Sequence, residues 1–191
     1  MNKFYVTTAI DYVNATPHIG HAYEKIAADI VARYHRMRGA DVFFLTGVDE
    51  HGSKVEKSAG EAGKNPKEFC DEMSSKFEAA WKKLNLSNDH FIRTTDAPHE
   101  ASVQGIFKKL LEQGDIYKGT YEGLYCEGCE DFVRERDLDE EGNCPNHLKP
   151  PKKLEENNYF FKLTNYKDKV KNWIESNKWF RNEFYASSTG I

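Results

Sequence analysis

Two β-branched and aromatic runs, KFYVTTAI at 3–10 and DVFFLTGVD at 41–49, flank one stretch suited to a single long helix. The first run reads as a buried strand, and the second is apolar on both faces before it turns polar. Between them Ile19, Tyr23, Ile26, Ala27, Ile30, Val31, Tyr34 and Met37 recur at helical spacing, and Gly39 ends the pattern. Strand, helix and strand in this order define a βαβ unit, so the two strands are expected to be parallel and their sheet covered.

The pattern continues downstream. Asn65 caps a helix with Pro66 at its first position, and Phe69, Met73, Phe77, Ala80, Trp81 and Leu84 mark its inner face, with Cys70 beside that stripe. HFIRTT at 90–95 predicts a third strand. Val103, Ile106, Phe107, Leu110 and Leu111 predict a further helix ended by Gly114. Residues 1–114 thus read as the first half of a doubly wound, Rossmann-like α/β domain. From 115 the chain becomes Gly- and Tyr-rich, DIYKGTYEGLYCEGCEDF, as in short antiparallel strands, so residues 115–191 are expected to form a separate module. There NYFFKL at 158–163 predicts a strand, and Tyr166, Val170, Trp173 and Ile174 a short helix; the closing YASSTGI has no pattern and reads as frayed.

The net charge of −4 gives no general basic field, so any RNA contact would depend on local patches or on parts outside this chain. KPPKK at 149–153 reads as solvated surface. No leader opens the sequence and no run approaches the roughly 18 apolar residues of a membrane span, so a soluble, cytoplasmic chain is expected.

TPHIGH, residues 16–21, lies where the first helix begins. Thr16 is a good N-cap and Pro17 suits the first helical position, which puts His18 and Gly20 in the first turn and His21 just beyond it. A helix start offers unpaired N–H groups and the positive end of a dipole, which suits phosphate oxygens. Histidine donors beside it can follow charge as it builds on phosphorus, and Gly20 leaves room for a ligand against the backbone. A histidine pair taken alone reads as surface; its place after the first strand of a parallel sheet, where such folds bind ligands, favours the functional reading. Asp49, at the end of the second strand, could hold an amino group through a charge-assisted bond; taken alone, a cap or a solvated loop role would explain it.

CEGC at 126–129 and CPNH at 144–147 offer Cys126, Cys129, Cys144 and His147 as four ligands from two short knuckles. Zn(II) accepts thiolate and imidazole tetrahedrally, and four protein ligands leave no open position, so one structural zinc per chain is expected. A redox pair or free thiols are the alternatives, but a redox pair leaves the third cysteine and the histidine unexplained. Cys70 reads as an inert core thiol.

Residues FYVTTAIDYVNATPHIGHAYEKIAADIVARYHRMRGADVFFLTGVDEHG together resemble the opening of the methionyl-tRNA synthetases, class I enzymes whose HIGH signature is matched by His18, Ile19, Gly20 and His21. YVN before the signature and GVDEHG at 47–52 fall where that family has them, and the resemblance runs over 3–183. It implies that His18 and His21 stabilise the phosphates of ATP, bound with Mg2+, as the carboxylate of L-methionine attacks the α-phosphorus. It also implies that Gly20 lies under the adenosine, that Ile10 and Tyr12 border the methionine side chain, and that Asp49 binds its ammonium group. The resemblance places Glu50, His51 and Gly52 beside the pocket and implies no sharper duty for them than shaping that loop. Ala9 and Asp11 stand where the family commonly has a proline and an aromatic residue.

The same resemblance implies a zinc-knuckle connective insertion, matched here in its one-zinc form. The leucine, isoleucine and valine synthetases carry a large editing domain at that place. The family's KMSKS loop has no counterpart in this sequence, nor has its anticodon-binding domain. The chain is therefore expected to be an amino-terminal part, ending inside the insertion, of an enzyme that makes methionyl-adenylate and transfers methionine to tRNA(Met). Little activity is expected from this part alone. An unpaired edge on the first strand is expected to invite self-association. Another nucleotidyl transferase of this fold, or a non-catalytic zinc-stabilised binding module, would carry some of the same features.

Overall fold

The computed structural model describes residues 2–176, so YASSTGI lies outside the described residues. The chain divides into two compact units between Gly105 and Ile106, upstream of the change in composition at 115.

In the first unit, β1 (Lys3–Thr7), β2 (Asp11–Tyr12), β3 (Asp41–Asp49) and β4 (His90–Arg93) form one parallel sheet. The helices between them are α1 (Ile19–Met37), α2 (Ser53–Glu61) and α3 (Pro66–Lys83). β3 is central. Thr7 pairs with Leu45 and Asp11 with Val48, so the first edge spends one residue more than β3 over this interval. That surplus releases Thr8–Ile10 from the ladder as a short loop before β2 resumes. Gly47 is glycine because a Cβ there would lie 2.1 Å from the Ile92 carbonyl oxygen on β4.

The core is Val13, Val48, Val55, Ala59, Phe69, Cys70, Met73, Phe77 and Trp81. Asn65 caps α3 as the sequence predicts: its side chain accepts the Glu68 N–H at 2.9 Å, with Pro66 following. Cys70 is a buried core thiol, and Leu84 is the C-cap and is exposed rather than inward.

Two expectations are corrected here. The first strand is shorter than KFYVTTAI and is not buried: β1 alternates between exposed and half-buried residues, with Tyr5 60% exposed. It pairs with β3 alone among the described residues, so one edge and much of its surface face outward. On α1 the apolar stripe is not the packed face either. Ile19, Tyr23 and Met37 are 88%, 78% and 80% exposed, while the buried positions are Lys25, Asp29 and Ala32. α1 is held to its unit by the small side chains of Ala22 and Ala32 and by polar contacts that periodicity does not reveal.

Asp29 is one of these contacts. Its Oδ1 accepts the Ser87 N–H at 2.8 Å and the Ser87 hydroxyl at 2.5 Å, and its Oδ2 accepts Arg33 Nε at 2.7 Å. Burial raises its pKa, but Ser87 and Arg33 outweigh burial and leave it below the ordinary carboxylate value. A depressed folded-state pKa adds stability above the unfolded value of about 4, and this is lost as pH falls through the folded value. Asp29→Asn is therefore expected to cost about 1 kcal/mol at neutral pH and to flatten the fall in stability below about pH 4. Urea titrations at a series of pH values test both effects.

Helix α4 (Ala97–Glu112) spans the division between units and ends before Gly114, whose φ is +77°. In the second unit, β5 (Ile116–Cys126) pairs antiparallel with β7 (Lys152–Phe161) from Ile116–Phe161 to Tyr125–Lys152, and with β6 (Asp131–Val133) on its other side. These strands are longer than the sequence suggests, because β7 recruits the charged KKLEEN stretch as well as NYFF. Aromatic pairs on both flanks of β5 hold the sheet: Tyr117 with Phe160, and Phe132 with both Tyr121 and Tyr125. The last helix among the described residues is α5 (Lys167–Ser176).

Candidate functional site

α1 begins at Ile19, and its N-cap is His18 rather than Thr16. His18 has extended backbone (φ −130°, ψ 175°), and Pro17 precedes the cap instead of following it. The two histidines close a reciprocal capping box. His18 Nδ1 accepts the Gly20 N–H at 3.1 Å, and His21 Nδ1 accepts the His18 N–H at 3.2 Å. Their rings stack with centroids 3.7 Å apart.

An Nδ1 that accepts a hydrogen bond carries no proton, so both neutral rings bear their proton on Nε2 as donors. Burial pushes the His21 pKa down, Asp11 pulls it up, and His18 and Lys25 push it down again, leaving it below the ordinary histidine value. The site thus presents two neutral N–H donors at a positive helix end, an arrangement suited to phosphate oxygens. Gly20 makes this packing possible: a Cβ there would lie 2.9 Å from His18 Cε1. In this structure the space over Gly20 is taken by the His18 imidazole.

Tyr12 and Asp49 are direct register partners across β2 and β3. The Val13 N–H extends this pairing by donating to the Asp49 carbonyl at 3.3 Å. Asp49 Oδ1 accepts the His51 N–H at 3.2 Å. Ile10 and Tyr12 are 42% and 37% exposed, open to a ligand. The ends of parallel strands therefore bring Ile10, Tyr12 and Asp49 to the edge from which the chain runs into the His18 cap.

Sequence reasoning missed the part played by Glu50. Its side chain is wholly buried and accepts from Arg93 Nε at 2.8 Å and from the hydroxyls of Ser74 and Thr95. Its own N–H donates to Thr94 Oγ1 at 2.9 Å, and its carbonyl accepts the Cys70 thiol at 3.7 Å. Arg93 also reaches Asp71 at 2.6 Å. Glu50 is an anchor: it ties the turn after Asp49 to β4 and α3. The available signal was a carboxylate directly after an apolar strand, with an arginine ending the next one.

The four knuckle residues converge in the second unit. Cys126 ends β5, Cys129 sits in the turn to β6, and Cys144 and His147 lie in the loop before β7. Their four ligand atoms all lie within 4.8 Å of one another. Cys129 Sγ is 3.5 Å from Cys144 Sγ and 3.4 Å from His147 Nδ1, which is 3.8 Å from the sulfurs of both Cys126 and Cys144. Tetrahedral Zn–S bonds of about 2.3 Å set sulfurs about 3.8 Å apart, so the set fits such an ion.

Electrostatics point the same way. The Cys129 backbone N–H holds the Cys126 thiol below its ordinary value, while Cys144 and then burial push Cys129 up to about 11. Three thiols this close ionise together only beside a cation. Gly128 lies under the His147 ring, where a Cβ would come within 2.3 Å of Cδ2.

Each knuckle closes on a residue with left-handed backbone, Glu130 after Cys129 (φ 53°) and Leu148 after His147 (φ 50°). Leu148 is 75% exposed, so its side chain contributes little packing to offset that strain. Leu148→Gly is expected to stabilise the metal-loaded second unit by about 0.5–1 kcal/mol, measured by denaturant unfolding.

A parallel sheet with the His18–Ile19–Gly20–His21 helix start at the carboxyl ends of its strands points to a class of protein, the class I tRNA synthetases. The family described as tRNA synthetases class I (M) matches residues 4–152, and the chain belongs to it. The chain is 53% identical over 176 residues to the methionine--tRNA ligase of Thermotoga maritima, covering 91% of this chain and 28% of that protein. It is 45% identical over 177 residues to the chloroplastic/mitochondrial methionine--tRNA ligase of Arabidopsis thaliana, covering 93% and 29%. Mycobacterium tuberculosis methionyl-tRNA synthetase in complex with methionyl-adenylate superposes with a TM-score of 0.86 at 39% identity, over 100% of this chain and 39% of that one. The chain thus spans little more than a quarter of the length of these curated relatives. No helix among the described residues is long and apolar enough to cross a membrane.

Proposed function

We propose that this chain supplies the amino-acid and phosphate side of a methionine--tRNA ligase, in which ATP activates L-methionine to methionyl-adenylate before transfer to tRNA(Met). The observation that carries the reading is one juxtaposition: the Tyr12–Asp49 register pair and the His18–His21 capping box both sit at the carboxyl end of the sheet.

In this reading Asp49 takes the methionine ammonium group, and Ile10 and Tyr12 border the side chain. The methionine carboxylate attacks the α-phosphorus of Mg-bound ATP. A bond forms to that phosphorus as the bond to pyrophosphate breaks, and the Nε2–H donors of His18 and His21 stabilise the charge that develops on the phosphate oxygens. The adenosine lies over Gly20, which requires the His18 ring to give way there. Cys126, Cys129, Cys144 and His147 hold one structural Zn2+ in a connective module over 115–191, set after the first half of the nucleotide fold at 1–114. A cytoplasmic setting and self-association through the outward edge of β1 belong to the same reading.

Separate calorimetric titrations of the chain with L-methionine and with Mg-ATP test it. One-to-one methionine binding is expected. ATP binding without methionine binding would favour another nucleotidyl transferase of this fold, and binding of neither would favour a non-catalytic module. Because the chain spans so little of its relatives' length, methionine-dependent exchange of ATP and pyrophosphate is expected to be weak.

A further inference from the structure

Lys25, on α1, is wholly buried at 0% exposure, and its ammonium group lies directly against the Thr8–Ile10 loop and β2. Its ammonium group donates to Asp11 Oδ1 at 2.7 Å, to the Ala9 carbonyl at 3.0 Å and to Glu24 Oε2 at 3.1 Å. Glu24 returns the contact, since its Oε1 accepts the Ala9 N–H at 2.7 Å. Both backbone groups of Ala9 and the side chain of Asp11 are thus fastened to two adjacent residues of one helix. Ile10 lies between the fastened residues and Tyr12 directly after them, both facing outward.

This cluster is a poor way to gain stability. Burying an ammonium and a carboxylate costs several kcal/mol, and the cost is recovered only when the remaining polar atoms are satisfied. Asp11 Oδ2 is buried with no hydrogen-bond partner among the described residues. What the cluster does supply is geometry: the Ala9 carbonyl and Asp11 on one ammonium, with the Ala9 N–H on Glu24, fix the loop's distance and angle to α1, the helix that starts with His18 and His21.

We propose that Lys25, with Glu24 and Asp11, is a positioning clamp that sets Ile10 and Tyr12 for the methionine side chain relative to the histidine helix start. The inference rests on the methionine reading above. Lys25 touches no ligand in it; the clamp acts through the loop. A slack clamp lowers methionine affinity because the loop must then be ordered on binding.

The test measures methionine affinity by calorimetry and Ala9 amide exchange by NMR in the wild-type chain, Lys25→Met, Glu24→Ala and Glu24→Gln. Lys25→Met is expected to weaken methionine binding at least tenfold. Glu24 is partly exposed, so Glu24→Ala keeps the fold should Lys25→Met not; it is expected to weaken binding about fivefold and to speed Ala9 exchange at least tenfold. Glu24→Gln keeps an oxygen for the Ala9 N–H and is expected to recover most of both. Wild-type affinity and unchanged Ala9 protection in Glu24→Ala, or stability loss without loss of affinity in Lys25→Met, would overturn the clamp and leave the methionine reading standing. A wild-type chain that binds no methionine would overturn that reading itself, and the clamp's role with it.

Discussion

Treating Zn2+-loaded protein with a strong chelator, as a test of the proposed site at Cys126, Cys129, Cys144 and His147, is expected to unfold the distal part of the second unit and leave the first unit intact. The knuckle region has little else to hold it: β6 is three residues long, and Cys144 is tied by one isolated bridge to Lys149. Structural zinc contributes on the order of 10 kcal/mol or more to small sites of this type, far above what such contacts provide. Amide signals from about 127 to 151 are expected to collapse in NMR spectra while those of β3 and α3 persist. One equivalent of Zn2+ is expected to be released. Cys144→Ala is expected to act like chelation, since one missing thiolate opens the coordination shell. Metal-free protein with unchanged spectra would contradict this account.

Glu50→Ala is expected to have the next largest effect. It removes a carboxylate in contact with Arg93 Nε, Ser74 and Thr95 together, and among the described residues it leaves the guanidinium paired with Asp71. Breaking one side of a buried pair costs about 3–5 kcal/mol, and the surviving Asp71 contact reduces this to about 2–4 kcal/mol. The turn that follows Asp49 loses its tie to β4 and α3, so methionine binding is expected to weaken in protein that is still folded. Glu50→Gln keeps the shape and one acceptor oxygen and is expected to cost about half as much. Guanidinium denaturation measures the first effect and calorimetry the second. A loss below about 1 kcal/mol in Glu50→Ala would show that the network is not an anchor.

What could be read in the sequence follows the range over which each signal acts. The knuckle set was legible because its ligands form two local pairs. The Asn65–Pro66 start of α3 was legible because capping is decided within four residues. Glu50 was not, because its partners lie 24 and 43 residues away.

The apolar period of α1 correctly announced a helix but named the wrong packed face. Its packing on the unit rests on Ala22 and Ala32 and on Lys25 and Asp29, whose acceptors and donors come from the Thr8–Ile10 loop, β2 and the segment before β4. α2 escaped notice because SKVEKSAGE buries only Val55 and Ala59. The Thr16 and Pro17 propensities pointed to a cap two residues early; the His18 and His21 side chains decide the boundary by satisfying the first N–H groups themselves.

The most direct test of the central claim compares L-methionine with its analogue lacking the amino group, 4-(methylthio)butanoate, on the wild-type chain and on Asp49→Asn. If Asp49 holds the ammonium group, the wild type prefers methionine by at least tenfold, and Asp49→Asn removes most of that preference while leaving analogue affinity nearly unchanged. Equal affinities for the two compounds in the wild type, or a preference that survives in Asp49→Asn, would contradict the account.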